Sequence, residues 1–156
     1  MPKSKSPKTI TAAVSDQGAV AVADALARSA AECCRQHDRV ARIVERSELE
    51  PELKFAQQFC ELCDSTLQQL VAAYEKAAAG APVNGEGWSR RANALWQASR
   101  DYLRRHSACD HLTSRLQRHS SADLGALAME YELEASALLA LRHATDAYCK
   151  ERPDAA

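Results

Sequence analysis

Residues 59–64, Phe59-Cys60-Glu61-Leu62-Cys63-Asp64, sit inside a longer stretch whose inward positions recur every three or four residues: Ala56, Phe59, Cys60, Cys63, Leu67, Leu70, Tyr74 and Ala77. That period is the signature of one face of an α-helix, not of a strand. Ser47-Glu48-Leu49-Glu50 has the spacing of a capping box, and Pro51 suits a first helical turn. Gly80 followed by Pro82 is a stop signal. A helix is therefore expected from about Pro51 to about Ala79.

Three further stretches carry the same pattern. Before it, Ala19, Ala23, Leu26, Ala30, Cys33, His37, Val40 and Val44 form a stripe that Ser15 or Asp16 can cap and that ends near Arg46. After the turn-rich segment 81–87, with Asn84-Gly85, a third helix is expected from Trp88 to about Arg118. Its stripe is Trp88, Ala92, Leu95, Ser99, Tyr102, His106, Cys109, Thr113 and Leu116. Ser120 and Asp123 open a fourth, with Leu124, Leu127, Tyr131, Ala135, Leu138, Leu141, Thr145 and Tyr148, and Pro153 ends it. No alternating strand pattern and no internal repeat is present.

Four helices of similar length joined by short turns predict an all-α fold, an up-and-down antiparallel four-helix bundle spanning residues 16–152. Residues 1–15, rich in Lys, Pro and Ser at the start and without periodicity, are expected to form a disordered basic arm, and 153–156 a short tail. With 156 residues the chain is long enough for one domain with its own core. The Ala-, Leu- and Arg-rich composition agrees with helix.

Charge and composition narrow the function. The formal net charge is −1, which leaves no global field to draw the chain onto nucleic acid or an anionic membrane. The third helix is rich in arginine (Arg90, Arg91, Arg100, Arg104, Arg105, Arg115, Arg118), but the fourth supplies Asp123, Glu130, Glu132, Glu134 and Asp146 to pair with it. No apolar run reaches the roughly 18–20 residues that span a bilayer, and no leader-like apolar segment follows the basic N-terminus. A cytoplasmic location is the expectation, and there the six cysteines are expected as thiols or ligands, not as a disulfide framework.

The chemistry worth testing is a layer of Cys and His. Cys33 and His37 are spaced i,i+4; Cys60 and Cys63, and likewise His106 and Cys109, are spaced i,i+3. Each pair lies on one face of its helix, one turn apart. Counting residues from each expected turn, at about 1.5 Å of rise per residue, sets all three pairs at one height together with Glu130 and Glu134. Thiolates and imidazoles converging from several helices are what a soft metal requires, so Cys33, His37, Cys60, Cys63, His106 and Cys109 are candidate ligands for Zn or Cu. The first four would make the tightest shell, and Glu130 or Glu134 would orient a histidine from behind.

The alternative is that these cysteines are core residues and the protein is a helical adaptor or chaperone-like interaction module with no metal. Apolar residues beyond the stripes, among them Val71, Trp96, Leu103, Leu112 and Leu139, support a homodimer or a protein partner. Enzymatic readings find little in the sequence. No His has a Glu three residues before it, as carboxylate-bridged di-iron bundles need, and Asp64 stands where covalent haem attachment would need His after Cys63. No Gly-rich phosphate loop or nucleophile motif occurs.

Overall fold

The computed structural model describes residues 8–46, 50–79, 88–116 and 123–155. Residues 1–7, the Ser47–Leu49 part of the capping box, the 81–87 loop and the Ser120 cap lie outside them. Among the described residues the chain is all-α, with no strand. It has four helices, α1 (Lys8–Glu45), α2 (Glu50–Ala78), α3 (Trp88–Leu116) and α4 (Asp123–Glu151), followed by a short 3-10 turn (Pro153–Ala155).

Three of the four helix starts fall where the sequence signals put them. The first does not: α1 begins at Lys8, about two turns before Ser15. No Gly or Pro interrupts residues 8–17. Once a helix is nucleated, extending it through Thr, Ile, Ala and Val adds one hydrogen bond per residue fixed, so the helix runs back to the residue after Pro7. The tail also differs from expectation. Pro153 ends α4, but the following turn packs back, and Ala155 is fully buried in the main core cluster. Arg152 draws it in by gripping Asp24 of α1 with two bonds of 2.7 and 2.9 Å.

Packing is most extensive between α1 and α2 and between α3 and α4, so the molecule is two helical hairpins laid together. Side-chain bonds set their relation. Asp64 of α2 meets Tyr102 of α3, and the later Tyr74 meets the earlier Asn93 at 2.8 Å. Asp24 of α1 meets Tyr148 of α4, and the later Asp38 meets the earlier Arg142 at 2.6 Å. Arg91 meets Glu151 and Arg105 meets Glu130 between α3 and α4. The Arg105–Glu130 pair is part of the arginine–carboxylate matching that the charge pattern predicts, and Arg91 finds a carboxylate, Glu151, outside the expected set. Arg100 instead lies over the Trp96 ring, 4.8 Å from its centroid, and faces Glu75.

Tyr102, Tyr148, Leu26, Leu67, Leu95 and Leu141 are the largest fully buried side chains. Each such residue contributes about 1.5–3 kcal/mol by leaving water. Two buried hydroxyls, Ser99 and Thr145, bond the carbonyls four residues back, Leu95 and Leu141, and so cost the core no unsatisfied donor. Val71, Trp96 and Leu103, expected as surplus surface, are in or against this core instead.

The core is unevenly distributed along the bundle axis. In the half that holds the α2–α3 connection, all four helices contribute buried residues. Beyond the level of His37, Asp64, His106 and Glu134, toward the α1–α2 and α3–α4 connections, the buried described residues are Ile43, Ala56, Cys60 and Cys109, and none belongs to the main cluster. The exposed large apolar residues show the converse. Val44, Phe55, Phe59, Leu62, Leu124, Met129, Tyr131 and Leu133 all lie at or beyond that level, while Leu139 lies on the other side. Val44, Phe59, Leu124 and Tyr131 sit on the stripes read from sequence as core. The stripes are present, but at this end the helices do not cover them.

Candidate functional site

The boundary between the two halves is a chain of polar side chains that crosses all four helices. At its centre is Asp64 on α2, one position past Cys63 and still on the inward arc, with only 7% of its surface exposed. Tyr102 of α3, fully buried, donates its hydroxyl proton to Asp64 Oδ1 over 2.9 Å. Its oxygen is then free only to accept, so the 2.5 Å contact with His37 Nε2 of α1 is a bond donated by the imidazole, which fixes the Nε2–H tautomer. On the other side, His106 Nδ1 of α3 bonds Glu134 Oε1 of α4 at 2.6 Å, while its Nε2 faces Asp64 Oδ2 at 3.3 Å and Asp110 Oδ2 at 3.6 Å. Asp64 Oδ2 accepts no hydrogen bond, so this ion contact answers its charge. The three rings pack closely: Tyr102 stacks on His106 with centroids 5.9 Å apart, and His37 stands edge-on to both.

The electrostatics follow from this arrangement. The bond to Glu134 lifts the His106 pKa from 6.5 to about 9 against the effect of burial, with Asp64 and Asp110 adding to the rise. His106 is therefore an imidazolium at neutral pH. Glu134 is held below the usual carboxylate range because the His106 and Cys109 bonds outweigh the desolvation that opposes them. Burial, reinforced by Asp64, pushes the Tyr102 phenol far up, so it stays a donor. A cleft of about 310 Å³ between α2 and α3, lined by Glu61, Asp64, Ser65, His106 and Asp110 among others, opens onto this chain.

Of the six expected ligands Cys33, Cys60, Cys63 and Cys109 are buried, and His37 and His106 are half-buried. Their partners are not those of a metal shell. Cys33, fully buried, approaches Cys63 and Asp64. Cys60 is buried beside them. His37 is taken by Tyr102, and both His106 and Cys109 by Glu134. Among the described residues no group of three or more His, Cys, Asp or Glu is able to hold a metal ion. Every thiol is held protonated. Burial pushes Cys60 to about 11 and Cys109 to about 12, and it drives Cys33 higher still. Cys34, beside Cys33, is buried as well. Glu134 plays the orienting part expected of it, and Glu130 instead meets Arg105.

Asp64 and the Tyr102 hydroxyl are the members of this chain that the sequence pattern did not single out. The signal for Asp64 was available: Cys60, Asp64, Leu67 and Val71 are themselves three-four spaced, and an acid on an inward face demands a partner.

The chain matches no protein-family model, no curated protein and no solved structure. No helix among the described residues is long and apolar enough to cross a membrane.

Proposed function

We propose that this protein is a helical interaction module, an up-and-down antiparallel four-helix bundle whose open, apolar end receives the apolar face of a partner protein. The observation that carries the reading is the clustering of Val44, Phe55, Phe59, Leu62, Leu124, Met129, Tyr131 and Leu133 at one end of the molecule. Phe55, Phe59 and Leu62 form a stripe along α2 at helical spacing, outside the face that α2 gives to the core. Helix α4 carries apolar residues outside the face it gives to the core, among them Leu124, Met129, Tyr131 and Leu133, all exposed. Monomeric proteins rarely leave contiguous apolar patches larger than a few hundred Å² in water, and larger ones mark interaction surfaces.

The alternative, a soft-metal carrier using the Cys/His layer, draws less support. Its ligands would have to give up the Tyr102 and Glu134 bonds, and its thiols would have to ionise against burial. An interaction module leaves those groups as they are.

Site-specific photo-crosslinking in cells tests the proposal. Crosslinkers placed at Leu62 and Met129 are expected to capture one identifiable protein, either a second copy or a different chain. The same group at exposed Arg90 should not capture it. Equal, diffuse labelling from all three positions, or none from any, would remove the reading.

A further inference from the structure

We infer that the His37–Tyr102–Asp64–His106–Glu134 chain is a latch that holds the α1–α2 hairpin against the α3–α4 hairpin and sets how far the apolar end stands open. The inference deepens the interaction reading, since it names what would regulate access to that end.

Three observations carry it. The first is connectivity. His37 to Tyr102, Tyr102 to Asp64 and Asp64 to His106 each pass from one hairpin to the other, and His106 to Glu134 then anchors the chain in α4. The second is position. Buried apolar residues on one side of the latch come from all four helices, whereas on the other side the buried described residues are Ile43, Ala56, Cys60 and Cys109. Beyond or beside the latch, the Arg105–Glu130 and Thr113–Tyr131 bonds stay within the α3–α4 hairpin, so they do not tie the two hairpins together. The third is energetic character. An apolar contact weakens gradually as surfaces part, but Asp64 and Tyr102 are buried, so removing the partner of either leaves a largely desolvated polar group behind. A bond set of that kind, placed where the main core cluster stops, ties the hairpins together at this boundary and sets how far the segments beyond it can part.

The latch predicts that breaking it loosens one half of the molecule and spares the other. Hydrogen exchange read by mass spectrometry on Asp64→Asn, His106→Gln and Tyr102→Phe tests this in the full chain. Amides in 38–45, 53–62, 108–115 and 126–133 are expected to exchange at least tenfold faster than in the parent. Amides in 19–34, 67–77, 92–99 and 141–150 should accelerate clearly less than the first set, and by no more than the loss of global stability measured on the same variant. Equal acceleration in both halves, no acceleration, or global unfolding even of Tyr102→Phe, which keeps the packed ring, would each overturn the inference. A protein that loosens in this way yet takes no partner would keep the latch and lose the interaction reading, so the two fail separately.

Discussion

His106 and Glu134 are joined across α3 and α4 by a 2.6 Å bond from ring nitrogen to carboxylate, at the level where the continuous core ends. This pairing makes an imidazole a permanent cation at neutral pH. It stands among Asp64 on α2, Asp110 on its own helix, His37 on α1 and the neutral Tyr102 and Cys109.

A group whose pKa is higher folded than unfolded stabilises the fold fully below its unfolded value, and that stabilisation is lost as pH rises through the folded value. For His106 the window runs from 6.5 to about 9, and the full difference corresponds to about 3 kcal/mol. Denaturant unfolding of parent and His106→Gln proteins across pH 6 to 10 should show the gap between them shrinking by roughly that amount toward the alkaline end. Taking the difference between the two proteins cancels the titration of the cysteines and lysines they share.

Tyr102→Phe keeps the ring in its buried place and removes one oxygen. Asp64 Oδ1 and His37 Nε2 then both lose their partner inside the core. The expected loss is about 2–3 kcal/mol in chemical denaturation. Tyr74→Phe, whose hydroxyl meets the single partner Asn93 at a less enclosed place, should cost about 1 kcal/mol.

The thiols should be unreactive in the native state. With Cys60 and Cys109 held at about 11 and 12 by burial, their thiolate fraction near neutral pH is at least a hundredfold below that of an unfolded cysteine. Iodoacetamide labelling resolved by peptide mass is expected to reach the half-buried Cys149 first. Cys33, Cys60 and Cys109 should be labelled at rates that track global or half-molecule opening.

The two ends should respond differently to truncation. Leu95→Ala, in the fully buried cluster, is expected to cost about 2–5 kcal/mol. Leu62→Ser and Met129→Ser, at positions 61% and 63% exposed, should change stability by no more than about 0.5 kcal/mol while lowering binding of an apolar dye and capture of a partner. Denaturation and dye fluorescence on the same samples separate the two effects.

The helices were legible because each carries a sustained three-four period bounded by Pro, Gly or a capping residue. The match in height of His106 and Glu134 was legible too, since both were counted 14 residues from the expected turn between their helices. Two things were not. Periodicity shows which face of a helix is apolar and cannot show whether a neighbour covers it, so Val44, Phe59, Leu124 and Tyr131 were read as core. Spacing likewise brings side chains to one height without giving their distances. Cys33 approaches Cys63, yet the His37 imidazole bonds Tyr102, which in turn bonds Asp64. The early start of α1 escaped because the helix there is propagated from the packed region and carries no cap signal of its own.

The Asp24–Arg152 grip has a consequence for the order in which the chain assembles. Its two partners lie 128 positions apart, whereas α1–α2 and α3–α4 pair neighbours in sequence. Each hairpin therefore closes a short loop and forms early, at low entropic cost. The clasp between Asp24, Tyr148 and Arg152 waits until nearly all of the four-helix unit has left the ribosome. Until then the nascent chain presents two hairpins with unsheltered inner faces, and a chain stopped before Arg152 would leave the half-buried Asp24 with the Tyr148 hydroxyl but without the guanidinium that answers its charge.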